Sequence, residues 1–289
     1  MSDFENLLES YQKRINQKLI GILPADNSVL SSAMRYSVLN GGKRFRPILV
    51  YLSSELGNSD INSVDILAGS IELIHCYSLI HDDLPSMDDD DLRRGYPTTH
   101  KKFDEATAIL AGDALQPLAF ELLASLKTSD FNKIQIISNL AKACGHQGMV
   151  GGQIKDIHSE KIKTTGALDT MHLQKTGKLI QTALETSGIL SGLNQSEIKI
   201  LSRYGEKIGL AFQIQDDIID IESPSSISGK DQGSDLRQDK ITYPSIAGLE
   251  ESKIKARELT SDAKEMLHLF HKNTDNLSKL ADYIIHRDT

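Results

Sequence analysis

Tryptophan is absent from this 289-residue sequence, cysteine occurs twice and proline seven times. Two cysteines, Cys76 and Cys144, supply neither a disulfide framework nor a zinc ligand set, and their apolar neighbours mark both as inert packing. Long apolar runs are missing too. The longest unbroken one is Ile48 to Leu52, far short of the roughly 20 residues that cross a bilayer, so no membrane span is expected. There is no basic excess: 32 Lys and Arg stand against 40 Asp and Glu, a net charge of -8, which argues against nucleic acid as a partner but leaves room for a local basic pocket. The acidic opening Met1-Ser2-Asp3-Phe4-Glu5 is unlike a secretory signal or a transit peptide, and a cytoplasmic setting is expected. No Walker A, H-E-x-x-H, G-x-S-x-G or G-x-G-x-x-G element occurs, which removes the common NTPase, zinc protease, serine hydrolase and dinucleotide-binding readings. Lys175-Thr176-Gly177 matches one element of penicillin-binding enzymes, but the Ser-Asp-Asn element that should accompany it is missing.

What is present is helical periodicity. Phe4, Leu7, Leu8, Tyr11, Ile15 and Leu19 form one apolar face, and Leu23-Pro24 ends it. Similar patterns predict helices over 28–39, 46–57, 61–83, 103–126, 130–150, 167–191, 195–221, 241–249, 252–271 and 276–286, and no segment alternates with a period of two. The expected fold is all-α. No composition shift crosses the Ser- and Gly-rich loop near 223–235, so residues 1–289 are read as a single domain. The segments 61–83, 103–126 and 195–221 are apolar around much of their circumference and should lie in the middle of a helical bundle.

Two acidic clusters end two of these long helices. Asp82, Asp83, Asp88, Asp89, Asp90 and Asp91 fall within ten residues, and Asp216, Asp217 and Asp220 interrupt an apolar stretch. At about 100° per residue Asp216 and Asp220 share one helix face, while Pro85 favours a break that loops residues 84–87 out and lets Asp82 and Asp88 converge. Buried carboxylates cost several kcal/mol unless paired or metal-bound, and an all-oxygen donor set selects Mg²⁺. Because Mg²⁺ commonly takes one or two carboxylates and fills its shell with water and phosphate oxygens, two such clusters suggest a phosphate substrate between them. Cations accompany them. Gly41-Gly42-Lys43-Arg44-Phe45-Arg46 puts two permissive glycines before three cations at a helix start, Arg93-Arg94 follows the first cluster, and Lys175, Lys230 and Lys240 lie further on.

Taken in order, Gly41 to Pro47, His75 to Gly95, Gly151-Gly152-Gln153-x-x-Asp156, Lys175-Thr176-Gly177, Phe212-Gln213-x-x-Asp216-Asp217-x-x-Asp220, Lys230 and Lys240 to Pro244 closely resemble the trans-isoprenyl diphosphate synthases, in particular their bacterial farnesyl diphosphate branch. The resemblance implies an all-α isoprenoid synthase bundle around a deep central cavity, usually a homodimer. It implies that Lys43, Arg46, His75 and Arg94 hold the diphosphate of isopentenyl diphosphate, and that Arg93, Lys175, Thr176, Gln213, Lys230 and Lys240 hold that of the allylic partner. Mg²⁺, three ions per site with substrate bound, would bridge the latter to Asp82, Asp83, Asp88, Asp216, Asp217 and Asp220, with Asp156 a further candidate. Asp82, Asp88, Arg93, Lys175, Asp216 and Lys230 form the expected catalytic set. The loop after the second cluster departs from the family at Ser225 to Ser228 and Asp235 to Asp239, which bears only on Lys230 and Lys240.

The expected chemistry is ionisation of the allylic diphosphate in a dry cavity, attack by the isopentenyl double bond, and proton loss to the released diphosphate. His81, which precedes Asp82, is read as packing or as a support behind the metal-facing carboxylates. Tyr77 and Ser78, five and four residues before Asp82, should floor the cavity that takes the growing tail. In the family an aromatic at the fifth position goes with a fifteen-carbon product, while a geranylgeranyl or geranyl product stays open. A terpene cyclase would need no second diphosphate site, and a silent subunit would have lost one of the acidic clusters.

Overall fold

The computed structural model describes residues 2–222 and 241–287. Helix α1 (Asp3–Ile22) begins on a capping box in which Ser2 and Glu5 satisfy each other's backbone N–H groups. Helices α2 (Val29–Leu39), α3 (Phe45–Ser54) and α4 (Ile61–Asp82) follow close to their expected limits. The fold is all-α, as the periodicity implies. The one departure in type is a two-residue antiparallel pair, β1 (Leu92–Arg93) with β2 (Tyr96–Pro97), just after the first acidic cluster.

The segment 103–126 is α6 (Glu105–Ala124), started where the Asp104 carboxylate accepts the Thr107 N–H at 2.7 Å and preceded by the short α5 (Thr99–Lys102). Two expected helices are divided. The segment 130–150 is α7 (Asp130–Cys144) and α8 (Met149–Ile157), broken by an extended Gly145. The segment 167–191 runs as α9 (Thr165–His172), a π turn over Leu173–Gly177, and α10 (Lys178–Leu190). The chain continues through α11 (Gln195–Glu222), α12 (Tyr243–Ala247), α13 (Leu249–Leu267) and α14 (Asp275–His286).

Helix α4 is the axis of the bundle. Leu67, Ile71, Leu73 and Ile74 are fully buried on different sides of it, against α3, α6 and α10, while α11 packs between α10 and α13. One buried ion pair crosses this core: Arg44 Nη1 lies 2.6 Å from Glu72 on α4, and the same guanidinium donates to the Val38 carbonyl and to Asn16. Arg44 is therefore a packing cation, not one of three facing an anion. Cys76 and Cys144 are free and buried, and burial with the nearby Glu72 pushes the Cys76 thiol up to about 12. The expectation about membrane-length segments needs correction. Single polar residues interrupt the apolar runs of α4 and α6, yet both helices are long and apolar enough overall to cross a bilayer. The apolar window of α4 is 78 % buried inside the fold, that of α6 only 33 %.

Candidate active site

The C-terminal end of α4 and the last turns of α11 bring both acidic clusters to one cavity of about 450 Å³. Carboxylates at a helix C-terminus face the negative end of its dipole, an arrangement that calls for nearby cations. After Asp82 the chain loops out over residues 84–87: the Met87 N–H donates to the Leu84 carbonyl at 2.8 Å and the Asp88 N–H to the Asp82 carbonyl at 2.9 Å. That return sets Asp88 beside Asp82, and both line the cavity with Asp156, Asp216, Asp217 and Asp220.

The adjacent aspartates have different surroundings. Asp83, 3 % exposed, turns away from this cavity and accepts Arg93 Nε at 2.9 Å, with a second bond from Nη2, while Arg93 also reaches Asp90 at 3.0 Å. Burial raises the Asp83 carboxyl to about 6 even though Arg93 opposes the shift. Asp217 spends one oxygen on Gln213 Nε2 at 3.1 Å and the other on the Tyr243 N–H at 2.8 Å, so it anchors the start of α12. Asp83 and Asp217 thus have protein partners, as Asp82 does in Gln153 and Lys175 and Asp216 in Arg287.

Lys175 and Thr176 sit in the π turn, whose extra residue re-aims side chains that a regular helix would point elsewhere. Lys175 Nζ is 2.5 Å from Asp156 and 3.6 Å from Asp82. Burial acts to lower its pKa, and the two carboxylates overcome that and raise it. Thr176 donates to Gln213 Oε1 at 2.8 Å, and Gln153 donates to Asp82. On the opposite wall Arg46 is buried with its Nε lacking a partner, and burial lowers its pKa. His75 is held well below its usual value by burial and by the neighbouring Arg46 and Arg94. Arg94 donates to the Gly41 carbonyl at 2.5 Å and lies across Gly42, whose φ of +111° is one that residues with a Cβ rarely adopt. Lys43 faces a neighbouring cavity with Phe45, Phe212 and Arg287, and burial, then Arg287, lower its pKa. Lys230 and Lys240 lie outside the described residues.

Arg287, at the end of α14, had no sequence signal. Its guanidinium stacks on the Phe212 ring at 3.9 Å and contacts Asp216 at 2.5 Å. Burial raises the Asp216 carboxyl and Arg287 opposes that rise.

Among the described residues no three His, Cys, Asp or Glu side chains converge as a ready-made metal cage. Carboxylates on two walls of one cavity, with cations around them, instead fit an ion such as Mg²⁺ that takes one or two protein oxygens and completes its shell from an anionic substrate. From this face a second, mainly apolar cavity of about 370 Å³ runs beside α4 and α8, lined by Tyr77, Ser78, His81, Met87, Met149 and Ile154.

The chain matches the polyprenyl synthetase family over residues 27–284. It is 46 % identical to the farnesyl diphosphate synthase of Escherichia coli, with 99 % of each chain covered. Among solved structures, an FPP/GFPP synthase from Zymomonas mobilis superposes with a TM-score of 0.87 at 38 % identity, covering 98 % of this chain and 99 % of that one. A geranylgeranyl pyrophosphate synthetase from Pyrococcus horikoshii superposes with a TM-score of 0.90 at 31 % identity, covering 99 % and 100 %.

Proposed function

This chain belongs to the polyprenyl synthetase family, and on that premise we propose that it condenses isopentenyl diphosphate head to tail with dimethylallyl and then geranyl diphosphate, releasing farnesyl diphosphate and diphosphate. The observation that carries this reading is the continuity of the carboxylate-lined cavity with a mainly apolar one that Tyr77 lines.

Asp82, Asp88, Asp216 and Asp220 are the residues we assign to Mg²⁺, three ions per site with substrate bound. When bound, Mg²⁺ neutralises charge developing on the departing diphosphate. Lys175, Thr176, Gln213 and Arg93 orient the allylic diphosphate, Arg93 being held by Asp83 and Asp90. Arg46, His75, Arg94 and Lys43 receive isopentenyl diphosphate; the unpartnered Arg46 Nε supports that role. Leu79, Met171 and Ile219 give the cavity apolar walls that keep water from the allylic cation. The isopentenyl double bond attacks C1 of that cation, the C–O bond to diphosphate having broken. The proton lost afterwards goes to the released diphosphate.

The enzyme acts, in this reading, as a cytoplasmic homodimer of single-domain protomers. Exposed apolar side chains on α6 and α7 support the dimer. The purified chain, given labelled isopentenyl diphosphate, dimethylallyl diphosphate and Mg²⁺, should yield fifteen-carbon product by chromatography and none after chelation by EDTA. Turnover that survives EDTA would overturn the metal assignment, and a predominantly twenty-carbon product would favour geranylgeranyl diphosphate synthesis.

A further inference from the structure

Tyr77 lines the apolar cavity beside α4, but it does not stand alone there. The His81 imidazole, one helical turn on, meets its ring edge to face at a centroid distance of 5.9 Å and lines the same cavity. His81 is itself seated on α6. Its Nε2 lies 3.0 Å from the Ile109 carbonyl oxygen, and since a carbonyl only accepts, Nε2 carries the proton. Asp113 stands 3.9 Å from the same nitrogen. The seat exists because residue 112 is glycine: a Cβ there would come within 2.2 Å of Nε2 and 2.6 Å of Cδ2. A centre-to-centre approach that close cannot be relieved by small adjustments, so any larger residue must push the ring off α6.

We infer that His81, seated on Gly112 and bonded to the Ile109 carbonyl, is a product-length determinant that fixes the Tyr77 ring as the end wall of the tail cavity. Two consequences follow. Removing the imidazole frees the Tyr77 ring from its edge contact and joins the space beside α6 to the cavity, lengthening it. Filling the seat from below pushes the imidazole into the cavity and shortens it. His81 acts through the wall and makes no contact with the reacting carbon, so its signature is product length rather than rate.

The inference rests on the prenyl-elongating reading, and the test separates the two. Product distributions of the wild-type chain, His81→Ala, His81→Gln and Gly112→Ala are compared under identical substrate ratios. His81→Ala should raise the twenty-carbon share by about tenfold, the partition gained by burying roughly two further methylenes. Gly112→Ala should shift product toward ten carbons. His81→Gln keeps an N–H able to reach the Ile109 carbonyl and should stay near wild type. Because His81 adjoins Asp82 the variants can be slow, so the relative Kd of farnesyl and geranylgeranyl diphosphate is measured as well and should move in the same direction. If Gly112→Ala does not fold, His81→Ala decides. A folded His81→Ala protein with the wild-type product ratio and the wild-type Kd ratio overturns the inference. A wild-type chain that releases mainly twenty carbons overturns the farnesyl reading but leaves the comparison among variants intact.

Discussion

Neighbouring aspartates in this chain have unlike tasks, and the difference is a matter of which way one turn of helix faces. Asp82 and Asp216 look into the shared cavity, whereas Asp83 holds Arg93 and Asp217 holds the Tyr243 N–H. Asp82→Ala or Asp216→Ala should lower kcat by about a hundredfold or more, since the lost interaction grows in the transition state. Asp217→Ala should in addition cost about 1–3 kcal/mol of stability, because it strands a buried N–H, and chemical denaturation would read that loss. On the proposed assignment the cations divide by substrate. Arg46→Ala or His75→Ala should raise KM for isopentenyl diphosphate far more than for the allylic partner, and Lys175→Ala should do the reverse. Equal effects on both KM values would contradict the two-site assignment. The spacing of Asp82, Pro85 and Asp88 carried enough information to foresee their convergence. It could not say that Asp83 turns away from the cavity while Asp82 faces it, because rotation at a helix end depends on what packs there. Arg287 was illegible for a different reason: it meets Asp216 from 71 residues away, and a lone arginine forms no pattern.

At the scale of elements, the 3.6-residue period was visible wherever one face is buried, and it located α1 to α4, α11, α13 and α14 to within a few residues. It failed at the joints. Period alone runs through the Gly145 break and the π turn at Leu173–Gly177, since it reads side-chain polarity and not the backbone hydrogen bonding that changes there. The π turn matters most, because it carries Lys175 and Thr176. Helix α4 also depends on a feature that composition does not show, the Arg44–Glu72 pair. Both side chains are almost fully buried, so removing one leaves a charge without a partner. Glu72→Ala should destabilise the fold by about 3–5 kcal/mol, seen as a lower denaturation midpoint. A change of less than about 1 kcal/mol would mean that the pair behaves like one exposed to water.

The whole molecule poses the question of what covers α6 and α7. Ile109 and Leu110 on α6 are 43 % and 57 % exposed, and Phe131 and Ile134 on α7 are 69 % and 66 % exposed. Phe131 and Ile134 are three residues apart and share one helical face, and α7 packs against α6. Isolated exposed apolar residues need no explanation, but two exposed apolar pairs, one on each of two adjacent helices, mark faces that a partner can cover. The apolar composition of α6 points the same way, since most of its apolar window is unburied in one chain. A second copy of the chain placing the same two helices against these would bury the patch symmetrically. The double substitution Phe131→Asp with Ile134→Asp puts charge at the centre of that contact and touches none of the residues lining the carboxylate or tail cavities. It should convert a dimer into a monomer in sedimentation velocity while far-UV circular dichroism stays unchanged. The Ile109 carbonyl that holds His81 lies on the same helix as the patch, so the monomer should also show a looser tail cavity and a broader product distribution than the dimer. A variant that sediments as wild type would show that α6 and α7 are not the contact, whatever else covers them.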